Sequence, residues 1–372
     1  MHTLYDLSPL LQIMLLGVLL ALLPLLWIGY RQRRGRTMPW AQALTLLTLF
    51  LTFDLVLFGA FTRLTDSGLG CPDWPGCYGS TSPVGAHANI ASAQIAMPSG
   101  PVTLSKAWVE MIHRYLATVV GVLITVLTAN AWIGRFRSGR NAEARVLSPW
   151  WSTLTLVWVC IQGAFGALTV TMKLFPIIVT LHLLAALLLL ALLCWQVVRS
   201  GQLAAARPAT SVNPGLRGWL WFAAACLLLQ IALGGWVSAN YAVLACGDFP
   251  LCQGSWWPLM DIERGFELWR PLGLTHGGDV LNFSALTAIH YVHRLVAYIV
   301  LLLLGLLAWR LNALSSLRQL SRWLAALTGL QLATGLSNVV LDWPLLAALL
   351  HTGGAAALLL ALTWTLASSR SQ

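Results

Sequence analysis

Long apolar segments, separated by short polar or glycine- and proline-rich stretches, make up most of this chain. Each apolar segment has about 20 residues, the length that a helix needs to cross a hydrocarbon core of roughly 30 Å. Only helices and closed barrels satisfy their backbone hydrogen bonds in lipid, and apolar segments of this length form helices. The pattern therefore predicts nine membrane-spanning helices, at about 9–30, 40–62, 106–134, 150–172, 176–198, 218–239, 284–309, 323–341 and 344–368.

The composition agrees with a membrane protein rather than a large soluble helical domain. Of the 372 residues, 58% are hydrophobic and 9% are charged, whereas a soluble domain has about 25% charged residues. The net charge of +10 does not indicate a nucleic-acid partner, because the basic residues are unevenly distributed. Most of the 22 Lys and Arg residues lie in alternate loops and near the C-terminus, at 31–36, 135–145, 199–217, 310–322 and Arg370.

This uneven distribution predicts the orientation of the helices. Loops with an excess of Lys and Arg stay in the cytoplasm, so the N-terminus and the loops 63–105 and 240–283 are predicted to be extracytoplasmic, and the C-terminus cytoplasmic. The first apolar segment carries its basic cluster after it rather than before it, which predicts a retained helix and not a signal peptide. The loop 63–105 is predicted to act as a lid over a site in the first half of the chain.

Four histidines form two matched pairs within the apolar segments, His113 with His182 and His293 with His351. With the orientation above, each lies about six to nine residues from the outer end of its helix, roughly 9–14 Å below the outer surface at 1.5 Å per residue. Ionisable residues within a membrane are costly and are functional candidates. Four histidines at one depth therefore indicate a site rather than isolated helix-to-helix hydrogen bonds.

Other residues repeat with the histidines. The motif Cys-x-Asp-x-Pro-x-Cys occurs at 71–77 and again at 246–252. The repeat predicts an all-α polytopic membrane protein with two pseudo-symmetric four-helix bundles, at 40–217 and 218–372, and one extra N-terminal transmembrane helix within 1–39. Each bundle is predicted to hold one metal centre.

The donor set points to haem rather than to zinc or copper. Zinc and copper sites usually recruit further Cys, carboxylate or His ligands close by. Two well-separated histidines on different helices suit axial ligation above and below a porphyrin. Glycines in or near the helices could clear space for a flat ring, although close helix packing explains them equally well. These glycines are Gly163, Gly166, Gly234, Gly235, Gly335, Gly353 and Gly354.

At this point the chain resembles the haem A synthases of bacterial and mitochondrial inner membranes, over about residues 40–368. The similar stretches are Gly59–Leu69, the pair Cys71 and Cys77, Glu110–Arg114, His182, His290–Arg294 and His351. The resemblance implies oxidation of a ring methyl of haem O to the formyl group of haem A, for cytochrome oxidase assembly. The first 30 residues contain no Lys or Arg, which argues against a mitochondrial presequence and favours the bacterial inner membrane. The first helix, 9–30, lies outside the usual eight-helix pattern, and its role stays open.

The same resemblance assigns roles to the two halves. It implies haem b as a bound cofactor with His293 and His351 as its iron ligands. It implies haem O as the substrate, received by His113 and His182, and a haem O synthase as a partner. An iron with imidazole on both faces has no open position for dioxygen, which favours electron transfer. The electron acceptor stays open, and a homo-oligomer is compatible with the sequence.

Glu110 lies one turn before His113 on the same helix face. The resemblance makes it the catalytic carboxylate, and the alternative is an intrahelical ion pair with Arg114; both roles can coexist. The second half has His290 at this position, a difference expected if one half reacts and the other relays electrons. His290 itself could contact a propionate or be a polar packing residue.

Arginines and cysteines complete the candidate residues. Guanidinium groups suit haem propionates, so Arg63, Arg114 and Arg294 are candidate propionate contacts, with snorkelling to the interface as the alternative for Arg63. The pairs Cys71–Cys77 and Cys246–Cys252 lie in an oxidising compartment and could form structural disulfides; the resemblance suggests a redox or haem-transfer role for the first. Three further cysteines are predicted to be small packing residues: Cys160, Cys194 and Cys226.

Two other functions share the four histidines. One is a dihaem b-type, quinol-linked electron carrier, which would need neither Glu110 nor a lid. The other is a non-catalytic haem transporter or chaperone that holds porphyrin reversibly. Asp54, an acid within the predicted helix 40–62, has no counterpart in the second half and no account from the sequence.

Overall fold

The computed structural model describes residues 8–34, 38–138, 148–205 and 209–371. Its helices are Ser8–Arg33 (α1), Trp40–Leu64 (α2), His87–Ala96 (α3), Leu104–Ser138 (α4), Pro149–Thr171 (α5), Pro176–Ala204 (α6), Pro214–Ala239 (α7), Ile262–Gly265 (α8), Phe283–Asn312 (α9), Arg318–Val340 (α10) and Leu345–Ser368 (α11). A 3-10 turn at Ser315–Leu317 precedes α10. Two short parallel strands, Thr210–Val212 (β1) and Ser369–Ser371 (β2), pair with each other.

The predicted all-α polytopic fold is confirmed. Within the described residues, nine helices are long and apolar enough to cross a membrane, and each overlaps one of the predicted spans. The short helices α3 and α8 were not predicted, because the loops that contain them lack a sustained hydrophobic period. Parts of the basic clusters used for orientation, at 35–37, 139–147 and 206–208, lie outside the described residues, so the orientation stays a prediction.

Local sequence signals explain where several helices begin. Proline occupies the first turn of α5 and α7, where its missing N–H is not needed. The Asn213 side chain caps α7 by accepting a hydrogen bond from the backbone N–H of Gly215, and Asn282 caps α9 through the N–H of Ala285 at 2.8 Å. Such caps satisfy N–H groups that the helix itself leaves without a partner.

One compact unit comprises the chain up to Lys173 together with the part of α6 from Leu192 onward. In this unit α4 packs against α1, α2 and α5. The extra helix α1 buries Ala21 and Ile28 against α2 and α4. Nearer its N-terminal end, Ile13 of α1 packs in one cluster with both cysteines of the 71–77 motif. The helix that lies outside the eight-helix pattern is therefore part of the packing around this motif.

The second compact unit comprises the remainder of the chain, including the first part of α6 up to Ala191. Its four long helices pack in a closed order, α7 against α9, α9 against α10, α10 against α11 and α11 against α7. In such a ring α9 and α11 lie on diagonally opposite corners. The division into units passes through α6 rather than at 217/218, and the domain ranges 40–217 and 218–372 stay a prediction.

Candidate functional site

The His293 side chain is held between its own helix α9 and its neighbour α7. Its ring lies directly against Gly234, where a Cβ atom would be 3.0 Å from the ring Cε1. One turn earlier on α7, the Nε2 atom of Gln230 lies 3.0 Å from His293 Nδ1 and donates to the His293 carbonyl oxygen at 3.1 Å. Gly234 makes room for the imidazole of His293, and the side-chain amide of Gln230 binds the backbone of α9 at His293.

His351 on α11 is held in a similar way by α10. Its ring lies against Gly335, where a Cβ atom would be 3.2 Å from Cε1. Gln331, one turn before this glycine, donates from Nε2 to the His351 carbonyl oxygen at 3.0 Å. The hydroxyl of Thr334 lies 3.0 Å from His351 Nδ1. His293 and His351 thus each lie against a glutamine and a glycine of the adjacent helix, and we call each such pair a histidine seat.

The residues of this bundle fit a haem iron. His293 lies on α9 and His351 on α11, the two diagonally opposite helices of this bundle. The described residues contain no group of three or more His, Cys, Asp or Glu arranged for a metal ion, which is the pattern that zinc sites favour. Two imidazoles from opposite sides, with glycine backbone beside each ring, are the donor set of a bis-histidine haem.

A sequence signal for these seats was present and was missed. The spacing Gln-x-x-x-Gly occurs at 162–166, 230–234 and 331–335. The second and third copies are the two seats just described. In α2 the matching positions are Leu55 and Gly59, so this helix keeps the glycine but has an aliphatic side chain in place of the amide.

In the first bundle, His113 on α4 lies against Gly59 of α2. A Cβ atom at Gly59 would be 3.0 Å from His113 Cε1. Phe58 stacks nearly parallel to the imidazole, with 6.3 Å between the ring centres and 8° between their planes. His182 lies on the first part of α6, and its pairing with His113 stays a prediction.

The Glu110 carboxylate is buried, one turn from His113 on α4. Its Oε2 accepts a hydrogen bond from the backbone N–H of Cys71 at 2.8 Å, and its Oε1 forms an ion pair with Arg114. The ion pair considered as the alternative role is present. It leaves the catalytic role open, because a paired carboxylate can still exchange protons.

Both cysteine motifs form disulfide-bonded loops, Cys71–Cys77 and Cys246–Cys252. An arginine next to a histidine holds each loop. Arg114 donates to the carbonyl oxygens of Pro75 and Gly76. A redox role of the first disulfide stays a prediction.

Arg294 holds the second loop through three carbonyl oxygens, those of Cys246, Asp248 and Leu251, at 3.0, 3.0 and 2.7 Å. These bonds commit both terminal nitrogens of Arg294 to its loop, whereas Arg114 binds its loop through Nη1 and Glu110 through Nη2. Arg63 pairs with Asp66 at 3.1 Å. A propionate contact of any of the three arginines stays a prediction.

An aspartate closes the turn at the end of each loop. Asp73 accepts from the N–H groups of Tyr78 and Gly79, and Asp248 from those of Gln253 and Gly254 at 2.7 and 2.9 Å. The Gly254 N–H has the largest effect and, together with the Gln253 N–H, holds the pKa of Asp248 below its ordinary value, although burial acts in the opposite direction. The second loop thus depends on an ionised carboxylate.

Comparison with known proteins finds a matching family and similar relatives for this chain. The family described as cytochrome oxidase assembly protein matches residues 42–363. A haem A synthase of Shewanella oneidensis is 39% identical over 332 residues, which are 88% of this chain and 97% of that protein. A haem A synthase of Symbiobacterium thermophilum is 30% identical over 322 residues, 84% of this chain and 90% of that protein.

The chain belongs to the haem A synthase family. The resemblance inferred from the motifs is confirmed, and the family match begins two residues after the start of α2. Helix α1 precedes the matched residues, so membership of the haem A synthase family does not explain it.

Four other residues singled out in the sequence lie in different surroundings. His290, at the position of Glu110, is buried and its Nδ1 lies 3.1 Å from the carbonyl oxygen of Ala242. It therefore contacts loop backbone, as a polar packing residue does. Asp54 is half-buried in α2. Of the predicted packing cysteines, Cys194 is buried, whereas Cys160 is exposed on α5.

Proposed function

We propose that this chain is a haem A synthase, which oxidises a ring methyl of haem O to the formyl group of haem A. The observation that carries the proposal is the difference between the two bundles. The first has the buried carboxylate of Glu110 one turn from His113, and the second has His290 at the same position. Family membership and the two histidine-bearing bundles support the same conclusion.

The reaction requires a base and an electron acceptor. Converting the methyl to a formyl group replaces two C–H bonds with a C=O bond, with water as the oxygen source. Four electrons and four protons leave. Glu110 is a buried carboxylate of the first bundle, one turn from His113, that can take up protons, and the positive charge of Arg114 stabilises its negative charge there.

The second bundle would hold the cofactor. His293 and His351 would hold haem b through its iron, and Gly234 and Gly335 leave room for their rings. When bound, haem b supplies one-electron transfer toward a redox partner in the membrane. His113 and His182 would receive haem O, the substrate, supplied by a haem O synthase. We place the protein in the bacterial inner membrane with both disulfide loops extracytoplasmic.

Pigment analysis of purified protein tests the proposal. Wild type, Glu110→Gln and the exposed control Glu263→Gln are expressed with a haem O supply, and their haems are extracted and separated. We expect haem b in all three, and formyl haem in wild type and the control. In Glu110→Gln, formyl haem should fall by about 100-fold or more, the usual contribution of a general base.

Other outcomes separate the alternatives. Formyl haem at the wild-type level in Glu110→Gln would remove the catalytic role of Glu110. Haem b alone in wild type would indicate an electron carrier, and substoichiometric haem without formyl haem a transporter. The glutamine variant is informative because its amide oxygen can still accept from the Cys71 N–H, so the loop is retained.

A further inference from the structure

The Thr334 hydroxyl lies between two backbone carbonyl oxygens of its own helix, those of Leu330 and Gln331, and a ring nitrogen of His351. Its Oγ1 is 2.7 Å from the carbonyl oxygen of Leu330, one turn earlier on α10, and 3.0 Å from Nδ1 of His351 on α11. Thr334 is buried, with 6% of its surface exposed. Water therefore does not replace either partner.

Because this hydroxyl has only one proton, its hydrogen bonds determine which ring nitrogen of His351 carries a proton. A threonine hydroxyl has one proton to donate and lone pairs to accept with. The Leu330 carbonyl oxygen can only accept, and a threonine within a helix commonly donates to the carbonyl four residues earlier. The hydroxyl oxygen is then an acceptor toward His351, so Nδ1 of His351 carries the proton. A neutral imidazole has a single N–H, and Nε2 keeps its lone pair.

We infer that Thr334 is a positioning residue that fixes the tautomer and the ring orientation of His351, so that Nε2 is the atom presented to the haem b iron. This rests on the proposed function, which assigns haem b to His293 and His351. Metal-bound histidines commonly donate their other N–H to a fixed acceptor, which strengthens them as ligands. Thr334 supplies that acceptor from a neighbouring helix.

The position of Thr334 differs between the two halves of the repeat. The position matching Thr334 in the first half is Phe165, three residues after Gln162. The hydroxyl placed at His351 Nδ1 in the second bundle is thus replaced by an apolar side chain in the first. A histidine that is held in one orientation suits a cofactor haem that stays bound, whereas a substrate haem has to enter and leave. Thr334 distinguishes the cofactor half from the substrate half.

Removing the hydroxyl has a defined expected effect. An Nδ1–H that donates to an acceptor makes the imidazole a stronger donor and stabilises ferric iron. Thr334→Val preserves the side-chain shape and removes the acceptor. The midpoint potential of haem b should therefore move upward, and haem b affinity should fall by about 10- to 100-fold, as is usual when a partner of a metal ligand is lost.

The experiment compares five purified full-length proteins by redox titration and by haem b retention during detergent washing: wild type, Thr334→Val, Thr334→Ala, Thr334→Ser and Thr328→Val. Thr334→Ala removes the hydroxyl without a methyl group that has to fit, and the same shift is expected. Thr334→Ser restores the acceptor and should behave as wild type. Thr328 is the matched control, because its hydroxyl donates to the carbonyl oxygen of Leu324 on the same helix at 2.7 Å.

The inference is overturned if Thr334→Val and Thr334→Ala retain both the wild-type potential and the wild-type haem b retention. It is also overturned if Thr328→Val shifts as much as they do. An additional His351→Ala protein distinguishes failure of the inference about Thr334 from failure of the proposed function. If His351→Ala keeps the wild-type haem b signal, the haem b assignment itself is wrong; if it loses the signal while the Thr334 variants are unchanged, only the role of Thr334 is wrong.

Discussion

The carboxylate of Glu110 accepts a hydrogen bond from the backbone N–H of Cys71 at 2.8 Å. This contact joins the residue proposed as the base to the first cysteine of a disulfide loop, 39 positions earlier in the chain. The same carboxylate is paired with Arg114, which in turn holds the loop carbonyls. The base, the loop and the helix that carries His113 therefore form one connected polar network.

The structural part of this network can be measured apart from its chemistry. Glu110→Ala leaves the Cys71 N–H buried without its acceptor, which costs about 1–3 kcal/mol. Glu110→Gln keeps an acceptor there and should lose less. Thermal unfolding in detergent should therefore rank wild type, then glutamine, then alanine, although both variants are expected to lose haem A production. Equal unfolding temperatures for the two variants would show that the contact does not stabilise the loop.

Glycine at the histidine seats is predicted to be required. A Cβ atom at Gly234 would lie 3.0 Å from Cε1 of His293, closer than nearly all real Cβ contacts, so the ring has to move. Gly234→Ala should therefore reduce bound haem b and perturb its low-spin absorption spectrum. Gly305→Ala on α9 is the control, because nothing lies within 4 Å of the added atom. A normal spectrum in Gly234→Ala would mean that the ring position is not critical.

The guanidinium groups of Arg114 and Arg294 are predicted to hold the disulfide loops in place. Arg294→Lys keeps the positive charge but cannot reach the carbonyl oxygens of Cys246, Asp248 and Leu251 together. Each lost hydrogen bond to a charged group costs about 1.5–3 kcal/mol. Hydrogen exchange of the loop amides should become faster, whereas the exposed control Arg264→Lys should leave it unchanged. Unaltered exchange in Arg294→Lys would contradict this role.

The second loop should loosen in acid. The pKa of Asp248 is lower in the folded protein than its ordinary value, because the Gly254 and Gln253 N–H groups favour the carboxylate. Its contribution to stability is therefore complete above the unfolded pKa of about 3.9 and is lost as the pH falls through the lower folded pKa. Exchange protection of the Gln253 and Gly254 amides should fall over that range. Asp248→Asn should abolish the pH dependence; if it does not, another group titrates.

The sequence predicted the parts of the structure that follow from local periodicity and from the repeat. The nine spans follow from segment length and polarity, and the two disulfide loops from the repeated Cys-x-Asp-x-Pro-x-Cys motif. The helix α3 could not be predicted in this way. Only Ile90 of its ten residues is buried, so it shows no apolar stripe that would reveal a helix.

The details of the site could not be predicted because they depend on how helices rotate against one another. Thr334 and His351 are 17 positions apart on different helices, and an apolar helix gives little indication of which face meets its neighbour. For the same reason, Arg294 was a candidate for a propionate, whereas its nitrogens lie on loop carbonyls. The Gln-x-x-x-Gly spacing was visible, but its meaning required the glycines to be seen against the imidazoles.

The most direct test of the account is the EPR and optical spectrum of haem b in purified wild type, His293→Ala and His351→Ala. The account predicts a low-spin haem with two imidazole ligands in wild type, and loss of that signal in each single variant, because both ligands come from this bundle. A wild-type low-spin signal that persists in either variant would contradict it.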